Sequence, residues 1–189
     1  AKIVMNMKAP VAAGLTSSWI FLSVLVHAGL GGGVYYWVTA QRSNVIVANY
    51  SGGNIAVFGK NADGSLTVAK QVIQHKGKGI HPRQESAHVH MVYFSPDKKY
   101  VLSNDLGTDA VYIYEYRPNA RTEVLKLKNT VAVPSGSGPR HLTFSKDGKF
   151  LYLLQELNGA LSVFSFANGR LNKIQETSIL AKDFKGNFT

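Results

Sequence analysis

The chain has 189 residues, 45% of them apolar, 11% aromatic and 17% charged, a globular composition that excludes disordered, collagen-like and coiled-coil classes. It has no Cys, which excludes disulfide scaffolds, thiolate metal sites and cysteine nucleophiles. Lys plus Arg at 21 against Asp plus Glu at 11 leaves a net charge of +10, which favours anionic partners and says nothing about fold.

Charge is scarce before Arg42. Trp19 to Val38 runs twenty residues without a charge, long enough to be a membrane-span candidate. Ser23, His27, Gly29, Gly31, Gly32 and Gly33 make its second half a poor helix. Buried strands are one alternative. A signal peptide is another, with Lys8 as basic flank, Trp19 to Val26 as apolar stretch and a small-residue site near Ala28. From Asn44 onward the pattern is β. Short runs rich in Val, Ile, Leu, Tyr and Phe are separated by Gly, Asn and Asp: Val45 to Asn49, Ile55 to Phe58, Val92 to Ser95, Tyr100 to Ser103, Val111 to Tyr116, Leu142 to Ser145, Phe150 to Leu154 and Leu161 to Phe166.

These strands repeat. A shift of fifty residues lays Phe94-Ser95-Pro96-Asp97-Lys98-Lys99-Tyr100 on Phe144-Ser145-Lys146-Asp147-Gly148-Lys149-Phe150, and Ala110 to Tyr114 on Ala160 to Phe164, without a gap. An earlier copy, Ile55 to Phe58, matches at a shift of 56. The turns Asp63-Gly64-Ser65-Leu66 and Asn168-Gly169-Arg170-Leu171 mark a fourth strand in two of the units. Four strands in about fifty residues is the period of a β-propeller blade, which fits an all-β chain better than a sandwich does.

The repeat also places polar residues. Antiparallel partners reflect about each hairpin turn, so His90 is expected opposite Asp105, and Arg140 beside Gln155 or Glu156. His90 and Arg140 are fifty apart and take equivalent positions in neighbouring blades. Four side chains, His90, Asp105, Arg140 and Glu156, are thus expected on one rim of the channel. Glu156 or His90 could take a proton from water, Arg140 could hold a carboxylate, phosphate or oxyanion, and Asp105 could orient the imidazole. The same residues could instead be charged pairs closing blade turns. The loop His75 to His88 carries three His, two Lys and one Arg, with Arg83 the best candidate for an anion contact. His88-Val89-His90 has the spacing of a metal pair on a strand, with His81 or His141 as a distant third ligand, but no carboxylate completes it. His141 is expected to face the neighbouring blade as a packed, hydrogen-bonded ring. Lys76-Gly77-Lys78-Gly79 lacks the spacing of a P-loop, and no nucleic-acid motif is present, so a nucleic-acid partner is not expected.

Ala48 to Asn54, Arg83-Gln84, His88-Val89-His90, Ser95-Pro96-Asp97, Asp105 to Asp109, Gly138-Pro139-Arg140-His141 and Glu156-Leu157, in that order and spacing, resemble the lactonase family of seven-bladed propellers. Bacterial propeller-type 6-phosphogluconolactonases and fungal carboxymuconate cyclases belong to it. The resemblance implies a partial propeller of about three to four four-stranded blades over residues 44–189, preceded by a poorly matching segment at 1–43 that is read as a diverged blade, with a targeting segment as the alternative. It implies a site without metal or cofactor that opens or closes a lactone ring, with His90, Arg140 and Glu156 as the catalytic set. Arg83 joins them in substrate binding, and His88, Asp105 and His141 are the further substrate-binding candidates. A small anionic lactone or carboxylate is the expected partner. The leading function is hydrolysis of 6-phosphogluconolactone, a pentose phosphate step in the cytoplasm; export follows if residues 1–28 are a signal peptide. A lactonizing carboxymuconate-type cycloisomerase and a non-catalytic binding propeller are the alternatives. With about half of the family's blades, the chain by itself is expected to be inactive, its exposed faces calling for further blades or self-association.

Overall fold

The computed structural model describes residues 22–26, 34–41, 43–184 and 186. The readings placed on residues 1–21 and 27–33, including the basic flank and small-residue site of the targeting segment, lie outside the described residues; of the uncharged stretch, Leu22–Val26 and residues 34–38 are described, as strands. The described residues contain no helix and form thirteen strands in three antiparallel sheets. The first sheet joins β1 (Leu22–Val26), β2 (Val34–Gln41), β3 (Asn44–Asn49), β4 (Asn54–Lys60) and β5 (Leu66–Gln74) in sequence order. The second holds β6 (Val89–Phe94), β7 (Tyr100–Asp105), β8 (Ala110–Tyr116) and β9 (Leu125–Ala132). The third holds β10 (Pro139–Phe144), β11 (Phe150–Gln155), β12 (Ala160–Ala167) and β13 (Arg170–Ser178). Every strand read from residues 45–166 is present. The fourth strands β5, β9 and β13 complete the blades, and β1 and β2, both before Asn44, are hydrogen-bonded into the first sheet.

The two full repeats fold alike because their turns carry the same chemistry. Ser95 Oγ donates to Asp97 Oδ1 at 2.6 Å, and Ser145 Oγ to Asp147 Oδ1 at the same distance. The amides of Lys99 and Lys149 both donate to those carboxylates at 3.1 Å, and the amides of Tyr100 and Phe150 to the serine oxygens at 3.0 Å. Each turn needs one left-handed residue, Gly148 at φ 73° in the third blade and Lys98 at φ 58° in the second.

The core lies between blades. Ile46, Ala48, Ile55 and Val57 of the first sheet pack on Val89, Val92, Phe94 and Val101 of the second. Met91, Leu102, Val111 and Ile113 of the second pack on Leu142, Leu151, Leu153 and Phe164 of the third. Strand alternation explains this, since each sheet turns one apolar row toward each neighbour. The inner strands β2, β6 and β10 consequently lie side by side, so their starts share one end of the assembly. On the third blade, Phe150 and Tyr152 alternate with buried Leu151 and Leu153 and face outward, 38% and 37% exposed.

Candidate functional site

The site forms where β6 and β10 begin. In β6, Val89 pairs with Asp105 and Met91 with Asn104, which leaves His90 in a β-bulge. In β10, Pro139 pairs with Gln155 and His141 with Leu154, which leaves Arg140 in the equivalent bulge. A bulge releases one residue from the ladder and re-aims its side chain. Reflection about the turns therefore holds along both hairpins up to the bulge and then slips by one residue. Asp105 stands opposite Val89 rather than His90, and Gln155 opposite Pro139.

The released side chains meet one carboxylate. Glu156 follows β11, its amide held by the carbonyl of Gly138 at 2.8 Å. Arg83 Nη2 lies 2.6 Å from Glu156 Oε1, and Arg140 Nε 3.0 Å from Oε2. The same Arg140 Nε–H also points at His90 Nε2 at 3.2 Å, and His90 Nε2 is 3.9 Å from Glu156 Oε2. The Glu156 side chain is 6% exposed, whereas those of Arg83 and Arg140 are 41% and 36% exposed. The carboxylate is thus covered by two guanidinium groups that keep an open side toward solvent, and two positive charges stand against one negative. Burial, together with His141 and Arg140, pushes the His90 imidazole from 6.5 down to about 3, so the ring is neutral. With Nε2 accepting from Arg140, the ring proton sits on Nδ1, a buried atom without a hydrogen-bond partner.

Of the remaining expected site residues, His141 packs edge-on to His90 with ring centroids 5.0 Å apart, and burial followed by Arg140 lowers its pKa. His88 is buried and stacked on Tyr50 at 4.6 Å, with Nδ1 3.3 Å from the Tyr50 carbonyl oxygen and Nε2 3.4 Å from Glu85. Asp105 is not brought to the cluster. It is fully buried, with Oδ2 2.8 Å from His75 Nδ1 and Oδ1 accepting the amides of His88, Gly107 and Thr108. The imidazole that Asp105 orients is therefore that of His75, whose Nε2 in turn lies 2.8 Å from the Tyr114 hydroxyl. His81 Nδ1 accepts the Arg83 amide at 3.2 Å and shapes the loop locally. Among the described residues, no group of three or more His, Asp or Glu is arranged to hold a metal ion.

Tyr50 was not singled out by the sequence reading, yet its ring also meets His90 edge-on at 5.6 Å. Burial raises its hydroxyl pKa against the pull of the neighbouring Arg83. The repeat held the signal, since shifts of 56 and then 50 carry Tyr50 onto Leu106 and Glu156. Asp109 was likewise overlooked. It accepts the amides of Gly136 at 2.7 Å and Gly138 at 2.8 Å, steadying the approach to Arg140.

Residues 21–189 match the family described as Lactonase, 7-bladed beta-propeller. Over 152 residues the chain is 34% identical to the 6-phosphogluconolactonase of Bacillus subtilis strain 168, covering 79% of this chain and 42% of that one. It is 29% identical over 138 residues to the 6-phosphogluconolactonase of Formosa agariphila, covering 72% of this chain and 39% of the relative. Among solved structures, the periplasmic gluconolactonase of Pseudomonas aeruginosa superposes with a TM-score of 0.73 at 34% identity, over 85% of this chain and 53% of that one. The chain spans less than half the length of these two curated relatives. The fifty-residue repeat, the paired bulges that release His90 and Arg140, and the family match across all the described residues agree: this chain belongs to the seven-bladed β-propeller lactonase family.

Proposed function

We propose that these residues carry the reaction rim of a lactone hydrolase acting on a phosphorylated sugar lactone, 6-phosphogluconolactone. The observation that carries this reading is the convergence of Arg83 and Arg140 on the buried Glu156 beside a neutral His90. In this reading the anionic substrate competes with Glu156 for the guanidinium groups, which hold its charge and the oxyanion that develops at the carbonyl. Competition for Arg83 and Arg140 frees the carboxylate, which accepts a proton from the attacking water. The acyl C–O bond then breaks and the proton passes to the departing ring oxygen, giving the open hydroxy acid. We assign the base to Glu156 because the imidazolium of His90 is strongly disfavoured where it sits. His90 then acts as a neutral ring that accepts from Arg140 and offers Nδ1–H. None of these steps requires a metal or an organic cofactor.

The relatives named 6-phosphogluconolactonase support the phosphorylated substrate, and the basic surplus of the site suits it. We also infer a cytoplasmic location, since such a substrate is retained inside cells by its charge. No helix among the described residues is long and apolar enough to cross a membrane. The test is hydrolysis of 6-phosphogluconolactone by the complete native protein that carries these residues. Glu156→Gln is expected to lower kcat by about 10²- to 10⁴-fold, the usual worth of a positioned general base. Arg140→Ala is expected to lower kcat/KM by a comparable factor. Unchanged hydrolysis in both variants would overturn the assignment. Turnover of a muconate-type acid in preference to the lactone would move the reaction to the cycloisomerase class.

A further inference from the structure

Between β5 and β6 the chain runs through residues 75–88 without regular structure, and Arg83 lies on this segment. A loop of that length is ordinarily either mobile or built for a purpose. This one is pinned at three points to a single turn, residues 105–107. At its start His75 is held by Asp105, and at its end the His88 amide donates to Asp105 Oδ1 at 2.8 Å while its carbonyl accepts the Leu106 amide at 2.9 Å. The middle pin is Gln84, whose side chain is fully buried. Its Nε2 donates to the Leu106 carbonyl at 2.7 Å, and its Oε1 accepts the His81 amide at 3.0 Å. Its backbone closes the loop on itself, accepting from Gly79 at 2.9 Å and donating to His81 at 2.8 Å. The turn admits the loop only because residue 107 is Gly: a Cβ there would overlap the Ser86 carbonyl oxygen.

The Arg83 side chain is 41% exposed along its length, and its guanidinium is held at the tip by Glu156 and by a hydrogen bond with Tyr50. It reaches a carboxylate on the third blade from a loop that joins the first blade to the second. Its neighbour Gln84 is the buried group that sets where the reach begins. We propose that Gln84 is the positioning residue for Arg83, using the Leu106 carbonyl as a fixed point to aim the guanidinium at the anion site. This rests on the reading above, in which Arg83 holds the anion of the substrate. Glutamine suits the role because it supplies one donor and one acceptor at once. An ionised Glu would set an oxygen against the Leu106 carbonyl, and Met would leave that carbonyl and the His81 amide without partners.

The experiment is a double-mutant cycle read by calorimetric binding of 6-phosphogluconate to the complete native protein. Arg83→Ala and Gln84→Met are each expected to weaken binding by about tenfold or more, the loss of one charge-assisted contact. The combined variant is expected to bind no more weakly than Arg83→Ala alone, since Gln84 then has nothing to aim. Wild-type affinity in Gln84→Met, or losses that add in full, would overturn the proposal and reduce Gln84 to a structural residue. Gln84→Glu repeats the cycle should Gln84→Met not fold, and failure of both to reach the native fold also overturns it. Wild-type affinity in Arg83→Ala would instead remove the anion-binding reading of Arg83, and the aiming role with it. A defect confined to Arg83→Ala leaves that reading in place.

Discussion

At the scale of single residues, the site is an electrostatic balance around Glu156. Two guanidinium groups and a neutral imidazole surround one buried carboxylate, and the neutrality of His90 has a consequence for stability. Unfolded, the ring titrates near 6.5; folded, it stays unprotonated down to about 3. Between those values the unfolded chain binds a proton that the native state does not, so stability falls as pH drops through this window. The contribution is fully present above pH 6.5 and amounts to at most roughly 4 to 5 kcal/mol when it is lost. The imidazole carbon-bound proton shifts of His90 are therefore expected to stay flat between pH 8 and 5 in NMR titration. In His90→Gln, urea midpoints are expected to decline less steeply below pH 6.5 than in the parent; an equal slope would refute this. The same residues show what was legible and what was not. His90, Arg140, Glu156 and Arg83 could be gathered from repeat and resemblance. Asp105 was drawn to the rim because simple reflection ignores the bulge, which rotates the ladder by one residue and turns Asp105 to His75.

Among the elements, the hairpin turns and the outer strands behave differently. The Ser-x-Asp turns were readable because a serine, an aspartate and a left-handed position at fixed offsets have one local solution. Lys98 fills that left-handed position in the second blade where the third has Gly148. A side chain costs about 1 kcal/mol or more in that region, so Lys98→Gly is expected to raise stability by roughly 0.5 to 1 kcal/mol after the greater freedom of glycine in the unfolded chain is set against it. A lower melting temperature in Lys98→Gly would contradict this. The outer strands β5, β9 and β13 were signalled only by the turns before two of them. Their side chains are mostly exposed and carry sequences such as Lys126 to Asn129 and Asn172 to Gln175, without the apolar run that marks a strand packed on both faces. Hydrogen bonding to the third strand, not burial, makes them strands.

For the molecule as a whole, three blades form two cores, one at each blade-to-blade contact. The outward face of the third blade carries Phe150 and Tyr152 with Ile174, exposed at 38%, 37% and 56%. A sheet face of that kind is costly in water. The 189-residue chain, expressed by itself, is expected to bury it against a second copy, giving a sedimenting mass above that of one chain. Tyr152→Lys is expected to shift the population toward the monomer. A monodisperse monomer at tens of micromolar would contradict this.

The sequence by itself determined the β class, the fifty-residue repeat, the turn chemistry and the identity of the ionisable residues near the inner-strand ends, because these depend on local patterns and their recurrence. Only the tertiary structure decided which of those residues meet. Two bulges, a turn at 105–109 that grips both incoming loops, and a buried glutamine beside Arg83 are contacts between segments far apart in the chain. Their geometry is set by how blades pack, which no local pattern encodes.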